Sequence, residues 1–186
     1  RVVVCEKPLA TTQEDAEAML RLARETGIAT IVNHERRFSF EYAAARRRLA
    51  AGCFGPPLSA TARLYFGSTR APSTMLLDDG THLLDSLRFL FSADLTVVNC
   101  AGEDTPGASL FLDLDLGGVP VRLEAGSGRD HLVFEIDISC ARGRIRIGNG
   151  TCEAWRSRPS PYASGYRSLE LVHALVDPSG PAHQPA

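Results

Sequence analysis

From residue 95 onwards, hydrophobic residues alternate with polar ones, and this period of two constrains the fold more than any other feature of the sequence. The clearest stretch is 110–116, and the pattern continues through 119–124, 133–138 and 144–147. Gly117-Gly118 and Arg142-Gly143 are tight-turn signals between these stretches. Alternation with one polar face predicts an antiparallel sheet that is exposed, or covered by a partner, on one side. With 58–66 and 95–101 included, the sheet should have about six or more strands.

The first 33 residues have a different pattern. Residues 2–5 and 28–33 are short apolar runs, and between them hydrophobic residues recur at helical spacing over 12–26. Thr11 with Glu14 resembles a capping box, and Gly27 is a good helix stop. This order predicts a parallel βαβ unit, covered on both faces, at the end of a doubly wound domain.

Two further helices are predicted, at about 40–51 and about 80–91, the second with a leucine-rich apolar stripe. The predicted fold class is therefore α+β (α/β): a large, open, predominantly antiparallel sheet with helices on one face, preceded by a βαβ remnant. The expected organisation is 1–34 for that remnant, 35–176 for the α+β domain and 177–186 for a loose tail rich in Pro and Gly.

Composition narrows the function classes. A formal net charge of −2 argues against nucleic-acid or membrane-surface binding. No apolar run approaches ~18 residues and no signal-peptide pattern is present, so we expect a cytoplasmic protein. The five Cys and five His show no metal-ligand spacing, and no metal is predicted. The sequence opens at Arg1 inside an apparent strand, as a fragment would.

Lys7 is the only lysine in the sequence. All the other residues counted among the 20 Lys and Arg are arginines. An ammonium is a compact donor whose proton affinity responds to its surroundings, whereas a guanidinium stays charged. A site that needs a tunable proton donor cannot use arginine. The alternative is that one surface lysine survives by chance.

A second informative stretch is MLLDDGTHLLDSL. Asp78 and His82 are four residues apart at the start of the third helix, so a carboxylate could orient an imidazole there, and Asp85 lies on a neighbouring face. A histidine held by an acid and facing an ammonium can move a proton off an alcohol. The alternatives are a helix-cap histidine and, for Asp78 or Asp79, simple N-capping.

The glycine pairs at 126–128 and 148–150 lack the third glycine of a dinucleotide fingerprint and are predicted to be turns. An ordered set of residues nevertheless resembles the Gfo/Idh/MocA oxidoreductases over about 2–175. The set comprises Glu6-Lys7-Pro8 after a strand, a strand ending in Asn33, Arg37-Phe38, the glycines of 52–55, and Asp78-x-x-x-His82-x-x-Asp85.

The resemblance implies an N-terminal Rossmann domain that binds NAD or NADP and a C-terminal domain whose sheet binds substrate on one side and other subunits on the other. It implies that Lys7, Asp78 and His82 form the catalytic trio, and that the proline after the lysine is often cis. By the same matching, Glu6, Lys7 and Pro8 contact the cofactor, while Arg37, Asp79 and His82 contact the substrate.

The resulting hypothesis is the C-terminal portion of an NAD(P)-dependent dehydrogenase that acts on a sugar, cyclitol or related polyol and forms a homo-oligomer through the open sheet. With most of the Rossmann domain missing, residues 1–186 alone should neither bind NAD(P) well nor turn over. One alternative is a non-catalytic oligomerisation or sugar-binding module. Another keeps the fold and cofactor but uses a non-sugar substrate.

Overall fold

A computed structural model of the protein describes residues 1–67 and 69–176. Its first unit is the predicted βαβ: strands β1 (Val2–Cys5) and β2 (Ala29–Val32) pair in parallel, and helix α1 (Gln13–Thr26) connects them. The N-cap of α1 is Thr12, whose hydroxyl accepts a hydrogen bond of 3.1 Å from the backbone N–H of Asp15. The predicted cap at Thr11 is thus wrong by one residue, whereas Gly27 ends the helix in the left-handed region, as predicted (φ 63°).

The apolar residues of this unit are largely exposed. Val4 keeps 67% of its surface and Leu22 keeps 61%, and α1 has no buried residue. The prediction that both strands are covered on both faces is therefore wrong for the described part of the chain, where β1 and β2 make their main contacts with each other.

The second unit is an eight-stranded sheet in the order β10-β9-β8-β7-β3-β6-β5-β4. Among the described strands of this sheet, β3 and β6 are the only neighbours that run parallel, so the predicted antiparallel character is confirmed. The strands are β3 (Pro57–Tyr65), β4 (Leu95–Gly102), β5 (Ser109–Leu116), β6 (Val119–Gly126), β7 (Val133–Cys140), β8 (Gly143–Gly148), β9 (Thr151–Pro159) and β10 (Arg167–Val176).

Helices cover one face of this sheet, and the core lies between the two layers. Helix α2 (Phe40–Ala50) packs on β8 and β9, and α4 (Thr81–Phe91) packs on β5. Leu83 and Leu87 of α4 are fully buried, as their apolar stripe predicts. The opposite face carries cross-strand ion pairs, including Arg63 with Glu135.

The helix that carries the candidate site begins earlier than predicted. It starts at α3 (Pro72–Met75), continues through a π-helical turn (Leu76–Gly80) and leads directly into α4. Single π-helical turns within α-helices are frequent at functional sites. The described helices include none that combines the length and apolar character needed to cross a membrane. The predicted tail, 177–186, lies outside the described residues.

Candidate active site

Lys7 lies just beyond the carboxyl end of β1, and its peptide bond to Pro8 is cis, as the resemblance implies. Its ammonium reaches across to the π-helical turn of the second unit. Nζ donates a hydrogen bond of 2.5 Å to the backbone carbonyl of Asp78 and lies 3.9 Å from Oδ1 of Asp79. The single lysine therefore lies partly buried against the acidic segment from which the sequence predicts catalysis.

Both carboxylates of the π-helical turn bind the same arginine. Arg70 donates 2.9 Å and 2.8 Å hydrogen bonds to Oδ2 of Asp78 and Oδ2 of Asp79, respectively. These acids raise the pKa of Arg70, and the hydrogen bond that Arg70 donates to Asp79 is the largest cause. Sequence reasoning missed Arg70, which precedes the helix in a loop and belongs to no recognisable motif.

His82 lies in the first turn of α4, with 11% of its side chain exposed. Burial is the main cause that lowers the pKa of His82; the positive charges of Lys7 and Arg36 lower it further, while Glu35 opposes them. The carboxylate nearest to its Nδ1 atom is that of Glu35, with Oε2 at 3.5 Å. The expected Asp78–His82 contact is not seen among the described residues, because the Asp78 carboxylate is turned to Arg70.

Arg37 and Asp85 form a second, adjoining cluster. Nε and Nη2 of Arg37 donate hydrogen bonds of 2.7 Å and 2.5 Å to the two oxygens of Asp85. The hydrogen bond to Asp85 is the main cause that raises the pKa of Arg37. His34 connects this pair to the first cluster: its Nδ1 is 3.9 Å from Asp85 Oδ2, and its ring meets the His82 ring edge-on at 5.9 Å. The guanidinium predicted to contact substrate is thus already held by an acid.

The carboxyl ends of β1 and β2 are joined beside Lys7. Asn33 donates a side-chain hydrogen bond of 3.0 Å to Oε1 of Glu6, and its backbone N–H donates to the carbonyl of Cys5 at 2.8 Å. In parallel sheets, ligands bind outside the carboxyl ends of the strands. Within the described residues, no group of three or more His, Cys, Asp or Glu has the geometry to hold a metal ion.

Comparisons with known proteins agree on one family. The family model described as "Oxidoreductase family, NAD-binding Rossmann fold" (GFO_IDH_MocA) matches residues 1–34. The chain is 32% identical, over 67% of its length, to a 1,5-anhydro-D-fructose reductase from Ensifer adhaerens. It is 30% identical, over 69% of its length, to a scyllo-inositol 2-dehydrogenase (NAD(+)) from Bacillus subtilis (strain 168). The resemblance to the Gfo/Idh/MocA family is therefore confirmed.

The fold agrees with this family assignment. A dehydrogenase structure from Chromobacterium violaceum superimposes with a TM-score of 0.75 at 20% identity, over 99% of this chain and 56% of that one. The chain covers 40% of the length of each of the two curated relatives above. The matched family segment ends at residue 34 and contains β1, α1 and β2.

The described residues fit one side of a dinucleotide site. A nicotinamide at the carboxyl ends of β1 and β2 would meet Glu6, Lys7 and Pro8, with Asn33 fixing Glu6. The exposed apolar surfaces of β1 and β2 are those that neighbouring parts of a doubly wound sheet normally cover. The glycine-rich phosphate-binding turn of such a fold is not found among residues 1–67 and 69–176.

Proposed function

We propose that the complete protein is an NAD(P)-dependent oxidoreductase that transfers a hydride between the cofactor and a sugar, cyclitol or related polyol. One observation carries this proposal: a partly buried ammonium, a pair of carboxylates and a buried imidazole with a lowered pKa meet where a parallel βαβ unit opens. The relatives support the substrate class, since one is named for anhydrofructose and another for scyllo-inositol.

His82 is the proton acceptor in this proposal. Burial lowers the pKa of His82, so the imidazole is neutral near pH 7 and can take the proton of a substrate hydroxyl. Lys7 lies close enough for its charge to act on His82, and in this proposal it donates a hydrogen bond to that hydroxyl as the proton leaves. When bound, a nicotinamide would supply the hydride chemistry at the substrate carbon that bears this hydroxyl, in either direction of the reaction.

The remaining residues orient these groups. Asp79 lies within ion-pair distance of Lys7, and the Asp78 carbonyl accepts the lysine's hydrogen bond, so the two acids hold the ammonium through different atoms. Glu6 and Pro8 shape the nicotinamide side. Asp79 retains a proposed role in substrate binding, whereas the bidentate contact with Asp85 favours an ordering role for Arg37 over a direct substrate contact.

The proposal includes a cytoplasmic homo-oligomer assembled through the open face of the large sheet. All five cysteines are free thiols, which agrees with a reducing compartment. The open face presents Trp155 between Arg144 and Arg146, with distances of 5.1 Å and 5.6 Å from the guanidinium carbons to the ring centroid. Aromatic residues and arginine are enriched in protein interfaces.

The test uses the complete protein with a panel of polyols and with NAD+ and NADP+. We expect Lys7→Arg to lower kcat by about 100-fold or more, because a guanidinium is a poor substitute for an ammonium in proton chemistry. Arg21→Lys, a matched exchange on the exposed surface of α1, should leave kcat unchanged. Full activity in the Lys7→Arg variant would remove Lys7 from the mechanism. NAD(P)H fluorescence titration addresses the alternative of a non-catalytic module, since a protein that binds neither dinucleotide cannot be this enzyme.

A further inference from the structure

Glu35 is an acid that the family resemblance does not assign. It is the first residue of the 3₁₀ turn Glu35–Phe38, which follows β2. Its side chain is 59% exposed, yet its Oε2 atom is 3.5 Å from the buried Nδ1 atom of His82. That Nδ1 atom has no hydrogen-bond partner in the described part of the chain, so a small approach by Glu35 would satisfy it.

The position of Glu35 decides which nitrogen of His82 can act as a base. In neutral imidazole one ring nitrogen carries the proton and the other carries the lone pair, and the partner of the first fixes the tautomer. A carboxylate at Nδ1 favours a proton there, which leaves the Nε2 lone pair for the substrate. A contact of 3.5 Å is compatible with this role because catalytic hydrogen bonds are often long before the substrate binds.

The other charged groups around His82 do not provide this carboxylate. Lys7 faces it from the end of β1 and Arg36 faces it from the 3₁₀ turn, and both are positive; the His34 ring lies just before that turn. The Asp78 carboxylate is held by Arg70. Among the charged residues that influence His82 in the described structure, Glu35 is the acid.

We propose that Glu35 is the positioning residue of His82: its carboxylate accepts a hydrogen bond from Nδ1–H, fixes the tautomer whose Nε2 is the base, and stabilises the imidazolium that forms. This inference rests on the proposed oxidoreductase function. In the oxidation step the substrate O–H bond breaks and an N–H bond forms at Nε2 of His82, while the C–H bond of the carbon that bears this oxygen breaks and the C–O bond becomes C=O. A nicotinamide held beside Lys7 would supply the acceptor for the hydride.

The first test needs no activity. In the complete protein, long-range ¹H–¹⁵N NMR of the histidine rings, assigned with a His82→Gln variant, reports the tautomer and titration of His82. We expect Glu35→Gln to reduce the Nδ1–H population and to move the titration of His82 to lower pH, because the negative charge that favours the imidazolium is gone. Glu25→Gln, an exposed exchange on α1, should leave both unchanged. A His82 signal that does not respond to Glu35→Gln would overturn the proposal.

The second test measures the pH dependence of kcat. We expect Glu35→Gln to lower kcat by about tenfold or more with little change in KM, and to move the acid limb of the profile to lower pH, while Glu35→Asp recovers part of the loss. Normal turnover and an unshifted limb in Glu35→Gln would refute the positioning role but leave the oxidoreductase function standing. A wild-type protein inactive with every polyol, whose His82 nonetheless responds to Glu35→Gln, would refute the function but keep the Glu35–His82 contact.

Discussion

Replacing Arg37 with alanine separates a structural role for this residue from a substrate contact. Arg37 donates two hydrogen bonds to Asp85, and the Asp85 side chain is only 8% exposed while that of Arg37 is 40% exposed. The substitution removes both donors and leaves a largely buried carboxylate on α4 without its partner. Leaving one member of a buried ion pair without its partner is far more destabilising than losing an exposed pair.

The expected loss follows from this burial. Breaking a fully buried pair costs about 3–5 kcal/mol, and because Arg37 is partly exposed, water can replace part of what the guanidinium supplied; we expect about 2–3 kcal/mol. For a chain of this size the corresponding decrease in Tm is about 4–12 °C. The double variant Arg37→Ala/Asp85→Asn should lose less than Arg37→Ala alone, since no uncompensated charge remains.

Urea unfolding provides the assay, with fluorescence of Trp155, the only tryptophan, reporting on β9 of the large sheet. Arg88→Ala is the matched control, because Arg88 also binds an aspartate, Asp94 at 2.6 Å, but both side chains are exposed; it should lose less than about 1 kcal/mol. An Arg37→Ala variant as stable as Arg88→Ala, combined with a raised KM in the complete protein, would refute the structural role and restore the substrate contact.

Two further predictions concern the core and the site. Leu87→Ala should lower the free energy of unfolding by about 2–5 kcal/mol in the same assay, because Leu87 is fully buried between α4 and the sheet. The pKa of His82 lies below its ordinary value of 6.5, so the unfolded chain binds a proton that the folded chain does not, and stability should decrease as the pH falls below 6.5. Tm measured against pH checks this: His82→Gln should lose that part of the slope, and a slope unchanged from wild type would contradict the assignment.

The architecture was largely predictable because burial imposes its period on the sequence. Hydrophobic and polar residues largely alternate in the strands β5 to β8, and the inward residues of β7, such as Ile136 and Ile138, are fully buried as that alternation requires. The exposed surface of β1 and β2 was not predictable, because an apolar run indicates that a strand should be covered but not which part of a protein covers it.

Two strands were missed for identifiable reasons. In β9 the inward residues include Cys152 and Ala154, which are fully buried but small. The second half of the strand contains two arginines, so the alternation of hydrophobic and polar residues is weak there. In β10 a bulge between Leu171 and His173 shifts the register and breaks the period of two. Both strands are apparent only from the pairing of β9 with β8 and of β10 with β9.

Spacing within one helix indicated the candidate site but did not determine its contacts. Asp78 and His82 could be singled out because four residues separate them, yet their actual partners, Arg70 and Glu35, come from a loop and from the turn after β2. Such contacts depend on how separate segments pack, and no periodicity encodes them. The dense charge of residues 35–37 directly after a strand was the one local signal available for Glu35.

The geometry around Lys7 gives a reason why this one position keeps a lysine in a chain otherwise built with arginine. Arg70 already places a planar guanidinium across the carboxylates of Asp78 and Asp79. Lys7 meets the same turn through the Asp78 carbonyl at 2.5 Å and the Asp79 carboxylate at 3.9 Å, two acceptors in different directions. An ammonium has three donors that radiate from one atom, so it can bind both acceptors and still offer a donor to a substrate hydroxyl, whereas the donors of a second guanidinium would be confined to one plane.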